Sequence, residues 1–123
     1  MVNDLIDRAR KKYLKANPLR VNELEAQTPD GKPAPPLTFP NLGDIQIIGC
    51  KLGMEYLAIC HDEDAVEEWI NTCISIYREP DWAGMLFANV SRGMNIVIGE
   101  MTNRSGLREH LQRQAVEAWN RQF

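Results

Sequence analysis

The stretch Gly84–Met101, reading GMLFANVSRGMNIVIGEM, constrains the fold most. Two apolar runs flank a short polar break at Ser91-Arg92-Gly93. Met85, Leu86, Phe87 and Val90 precede the break, and Met94, Ile96, Val97 and Ile98 follow it. β-Branched and aromatic residues suit a pleated, half-buried surface. A glycine closing a short loop supplies the positive φ that a tight turn demands. The stretch therefore reads as a β-hairpin.

The same text occurs about 40 residues earlier. Ile47–Ala58 aligns with Phe87–Ile98, keeping the polar break, the apolar flanks and an identical Gly-Met pair, Gly53-Met54 and Gly93-Met94. A helical pattern follows each copy. The expected architecture is α+β, with an antiparallel sheet of about four strands built from two hairpins. A duplicated ββα unit would cover 45–78 and 84–121. An N-terminal helix (1–17) and a proline-rich extended arm (18–44) would precede it, and a C-terminal helix would close it. At 123 residues the chain fits a single domain, 1–123.

The first helix carries Leu5, Ile6, Ala9 and Tyr13 on one face, with Asn3 as its expected cap and Pro18 beyond its end. Six of the seven prolines fall between Pro18 and Pro40. Lys32–Pro40 should be extended, while Thr28-Pro29-Asp30-Gly31 is a turn signal. Asp62 is the expected N-cap of a helix whose apolar stripe is Val66, Trp69, Ile70, Cys73, Ile76 and Tyr77. Ser105 is the expected cap of the last helix, with Leu107, Leu111, Ala115, Ala118 and Trp119 as its stripe.

Both alternation sets of each supposed strand are apolar. A sheet with one wet face alternates apolar and polar residues. Strands greasy on both sides need cover on both sides, and three short helices and an arm cannot supply it. The chain should therefore self-associate as a homodimer or higher oligomer.

Charge is unevenly spread. Residues 1–20 hold six basic and two acidic side chains, 21–80 hold three and eleven, and 81–123 hold five and four. No block combines basic density with aromatic interleaving, so nucleic acid is not an indicated partner. No apolar run is long enough for a membrane span, and the N-terminal residues lack the apolar core of a signal peptide. A cytoplasmic location is the default that follows. Cys50, Cys60 and Cys73 fall in apolar runs, are odd in number and form no C-x-x-C, which points to reduced, buried thiols rather than disulfides or zinc, and no metal is expected.

No nucleophile elbow, phosphate loop, H-E-x-x-H or dinucleotide fingerprint occurs, and His61 and His110 are the only histidines. The function expected is non-enzymatic and without a cofactor. The chain should bind a macromolecular partner as an adaptor, regulator or antagonist. Candidate interface residues are Tyr77, Arg78 and Trp82, Phe39 on the arm, and the basic run Arg10-Lys11-Lys12. The alternative is an oligomeric binder of a small anion such as a nucleotide, held at the start of the last helix by Arg92, Asn95, Asn103, Arg104 and Arg108.

Overall fold

A computed structural model describes residues 2–121. The element order is α1 (Val2–Ala16), β1 (Val21–Gln27), β2 (Pro33–Pro40), α2 (Leu42–Ile59), α3 (Glu63–Ile76), α4 (Pro80–Ser105) and α5 (Arg108–Asn120). The described sheet is a single two-stranded antiparallel pair, β1–β2. The four-stranded sheet expected from the sequence is therefore replaced by helices. Both supposed hairpins are continuous α-helix, and Ser91-Arg92-Gly93 lies inside α4 rather than at a turn.

The reason lies in what the glycines meet. Ile45, Ile48, Gly49, Leu52, Gly53 and Ile59 are the buried positions of α2, and Ala83, Leu86, Val90 and Gly93 those of α4. Their spacing of three, four and seven is helical, not alternate. A Cβ placed on Gly49 would stand 2.5 Å from the Asn89 Cβ, and one on Gly53 would stand 2.5 Å from the Val90 carbonyl oxygen. One on Gly93 would stand 2.6 Å from the Cys50 Cα. The two backbones touch where these helices cross. Glycines four apart permit the same close approach between membrane helices. Each interior glycine costs about 0.5–1 kcal/mol in helix propensity. Dense dispersion contacts and Cα–H···O contacts between the backbones offset that cost.

The helices have local causes as well. Asn41 caps α2, its Oδ1 accepting from the Asp44 N–H at 3.0 Å. The Asp62 carboxylate caps α3, accepting from the N–H groups of Asp64 and Ala65, as the sequence implied. Pro80 opens α4. Ser105 ends α4, Gly106 follows in the left-handed region at φ 73°, and Leu107 stands at the N-cap of α5 without a side-chain cap. Asn3 lies within α1, not at its cap.

α3 packs across the α2–α4 pair. Trp69 Nε1 donates to the Leu52 carbonyl oxygen at 3.0 Å, and its ring meets Tyr56 and Phe87 at 5.0 and 6.1 Å between centroids. Cys73 is wholly buried, and burial pushes its thiol up to about 12. The proline-rich segment is a hairpin and not a free arm. Thr28-Pro29-Asp30-Gly31 makes its turn, with Gly31 at φ 82° and its N–H donating to the Thr28 carbonyl. At its base Pro40 is buried, and Arg20 grips Asp44 at the first turn of α2 at 2.6 Å.

The crossing predicts opposite outcomes for two glycines of one helix. Gly93→Ala should lower unfolding stability by about 2 kcal/mol through overpacking. Gly99→Ala, where a Cβ meets nothing within 4 Å, should raise it by up to about 1 kcal/mol. Urea unfolding of both variants checks this, and equal effects would remove the crossing from the account.

Candidate functional site

Three elements sit at the margins of the α2–α3–α4 body: α1, the β1–β2 hairpin and α5. α1 lies against the body through its amphipathic face. Ile6, Tyr13 and Leu14 pack on the core, and the Lys51 ammonium stands 4.5 Å from the centre of the Tyr13 ring. The central contact is ionic. Arg10 reaches Glu55 of α2 and Asp7 of its own helix, each at 2.5 Å. Burial pushes the Glu55 carboxyl up, and the Arg10 charge pulls it back down. Cavities of about 260 and 330 Å³ flank this pair, both lined by Ile6, Arg10 and Glu55. α1 is thus held by side-chain tips over incompletely filled space.

The predicted basic run divides accordingly. Arg10 faces inward, Lys11 pairs with Asp7 at 2.8 Å, and Lys12 faces solvent. The predicted aromatic cluster also turns inward. Tyr77 is 4% exposed within the core, and Trp82 packs edge-on against it at 5.9 Å. Burial, then the nearby Asp44 charge, holds the Tyr77 hydroxyl above its ordinary value. Arg78 is exposed, and Phe39 is half-buried at the foot of the hairpin.

The five residues grouped as an anion site do not converge. Arg92 and Arg104 are twelve residues apart on α4, about 18 Å along its axis. Asn95 and Asn103 lie between them, Arg104 pairs with Glu100 at 2.8 Å, and Arg108 opens α5. His61 stands in the α2–α3 turn and His110 on α5, both exposed.

The broadest feature is surface. α4 is 26 residues long, about 39 Å, and from Asn95 to Ser105 none of its residues is buried. α5 buries none of its side chains, and Trp119 is 89% exposed. Ile96 and Met101 on α4, Leu107 at the junction, and Leu111 and Val116 on α5 are exposed as well. The chain exposes 9684 Å². A compact monomer of its 14.0 kDa exposes about 6,700 Å². The excess of about 3,000 Å² on one chain is more than the roughly 1,000–2,500 Å² that a large subunit interface removes from each partner. Sequence reasoning named the α5 stripe but assigned it to the chain's own core. The continuation of that surface onto the second half of α4 was hidden by reading Met94–Ile98 as a strand.

No described helix is long and apolar enough to cross a membrane. Arg10→Met should cost about 2 kcal/mol, because it strands the half-buried Glu55 carboxylate. The loss should be full near about pH 7 and shrink at acidic pH, as Glu55, whose carboxyl burial already pushes up and which loses the opposing Arg10 charge in this variant, takes up a proton. The double variant Arg10→Met/Glu55→Met should recover most of it, as read by urea unfolding at neutral and acidic pH. Comparison of the chain with protein-family models, with curated proteins and with solved structures finds no match.

Proposed function

We propose that this chain is a non-enzymatic, cytoplasmic protein that self-associates through the face formed by α5 and the second half of α4, and that acts by holding a macromolecular partner as an adaptor, regulator or antagonist. The observation that carries the reading is a helix with no buried side chain, on a chain whose accessible surface exceeds that of a compact monomer by about 3,000 Å². The occupant is a second copy. On α5 the stripe Leu107, Leu111, Ala115, Ala118 and Trp119 repeats at helical spacing, so two copies can lay like faces together about a twofold axis. Charges of both signs line that helix, including Arg121 and Glu117 paired at 3.5 Å, so like-charge repulsion does not oppose the approach. The cytoplasmic assignment draws on three free thiols, one of them exposed at Cys60, which suit a reducing compartment.

Light scattering coupled to size separation tests this. The protein should run at twice its chain mass. Trp119→Ala should weaken association at least about 30-fold, as removal of a buried aromatic anchor does. Met101→Asp should act in the same direction. Neither residue is buried in the protomer, so far-UV circular dichroism should stay unchanged. A monomeric mass at high concentration, or a dimer indifferent to both substitutions, would overturn the reading.

A further inference from the structure

The two outer edges of the hairpin are chemically unequal. Its ladder is fixed at both ends by backbone bonds: the Asn41 N–H donates to the Arg20 carbonyl at 3.0 Å, and the Thr28 N–H to the Lys32 carbonyl at 2.8 Å. In an antiparallel pair, positions that exchange hydrogen bonds alternate with positions that do not. Arg20/Asn41 and Thr28/Lys32 are hydrogen-bonded positions, each through one backbone bond, the Arg20 N–H donating instead to the Asp44 carboxylate and the Lys32 N–H to the Thr28 hydroxyl. Val21/Pro40, Glu23/Thr38 and Gln27/Pro33 therefore fall at the non-bonded positions. The register shifts between Leu24 and Ala26, which pair with Leu37 and Ala34. Two steps on β1 answer three on β2, so the irregularity sits at Pro35-Pro36 and β1 runs unbroken past it.

The backbone N–H and C=O groups of Val21, Glu23, Glu25 and Gln27 therefore point away from β2. β1 is exposed along its length apart from a half-buried Ala26. On β2, Pro33, Pro40 and the Pro35-Pro36 irregularity have no N–H to offer, which leaves Thr38 as the outward donor. Proline at an edge blocks strand addition. One edge of this hairpin is blunted and the other is complete.

The side chains of the open edge select what can add to it. Glu23 and Glu25 share one face of β1, and neither forms an ion pair among the described residues. On the other face Leu24 and its cross-strand neighbour Leu37 are 56% and 62% exposed. A second copy fits poorly. Full-length symmetric pairing, centred on Leu24, sets Glu23 opposite Glu25 of the copy twice, and directly opposed like charges destabilise a sheet. A strand with basic residues on one face and apolar residues on the other meets both faces with the right chemistry.

We infer that the outer edge of β1 takes an extended basic–apolar peptide segment of a partner protein as a third strand, through main-chain hydrogen bonds at Val21, Glu23, Glu25 and Gln27 and charge pairing at Glu23 and Glu25. This rests on the reading of the chain as a binding protein but not on its self-association.

Amide exchange by NMR on the full chain tests it, with an acetylated, amidated Lys-Val heptapeptide of strict alternation as probe and its Glu-Val counterpart as control. The basic peptide should protect the amides of Val21, Glu23, Glu25 and Gln27, and should bind at least about tenfold more tightly than the acidic one. Glu23→Pro removes an outward donor while leaving the inward bonds of Asn22 and Leu24, and should abolish binding. Glu23→Lys/Glu25→Lys keeps every donor and should reverse the preference between the peptides. Several outcomes would overturn the inference: no binding of the basic peptide at millimolar concentration, protection elsewhere, equal binding of both peptides, or unreversed preference in the Lys variant. Protection of the four amides by concentrating the protein alone would assign the edge to a second copy instead. The solution mass is read separately, so a monomer that takes the peptide removes the α5 interface and leaves this site standing.

Discussion

The rest of the structure depends on the backbone contact between α2 and α4. Three glycines carry it, and no larger residue fits at any of them without movement of main chain. The contact brings the flanking side chains of both helices into one layer. Leu52, Leu86 and Val90 are at most 2% exposed. α3 then closes that layer with Trp69 and Cys73. A core built this way is small and rigid, and it occupies the middle of the chain. Everything else attaches to its rim.

Those attachments differ in kind. α1 is tied by a half-buried ion pair and a cation–π contact over unfilled space. The hairpin is tied by Pro40 and by the Arg20–Asp44 grip; hydrogen bonds from Arg20 hold the Asp44 carboxyl below its ordinary value. α5 is tied by the chain itself through Gly106. Each attachment leaves one face without a partner inside the protomer. A two-stranded hairpin is marginal alone, and an amphipathic helix of 13 residues is marginal alone. Partners that complete these elements would stabilise them, which is why the surfaces proposed for binding are the marginal elements and not the core.

Much of the α3 stripe, its Asp62 cap, the end of α1 near Pro18 and the turn at Thr28–Gly31 were legible in the sequence, because each is set by local chemistry. The hairpins at 45–60 and 84–101 were misread for a physical reason. α2 and α4 carry apolar residues outside their buried stripes as well, among them the exposed Ile47, Met54, Ile96 and Ile98, so their text matches strand alternation as well as helical period. Glycine then tipped the choice: Gly93 behind Ser91-Arg92 looks like a turn, whereas it marks the place where another backbone passes. The repeated Gly-Met text is real, but its two copies sit on the two helices that cross each other. The true strands were hidden by their prolines, which deny β2 its outward donors while sparing the inward ones. Of the site residues, Arg92 and Arg108 were grouped on the premise of a turn at 91–93. A continuous α4 separates them along its length.

The most direct test of the central claim is the pattern of proton–proton contacts seen by NMR across the two Gly-Met segments. Crossed helices should give a strong contact between the α-protons of Gly93 and Cys50, with sequential amide–amide contacts unbroken from Asp81 to Ser105. Cross-strand α-proton contacts between Phe87–Val90 and Met94–Val97 around a turn at Arg92, without the Gly93–Cys50 contact, would contradict the crossing.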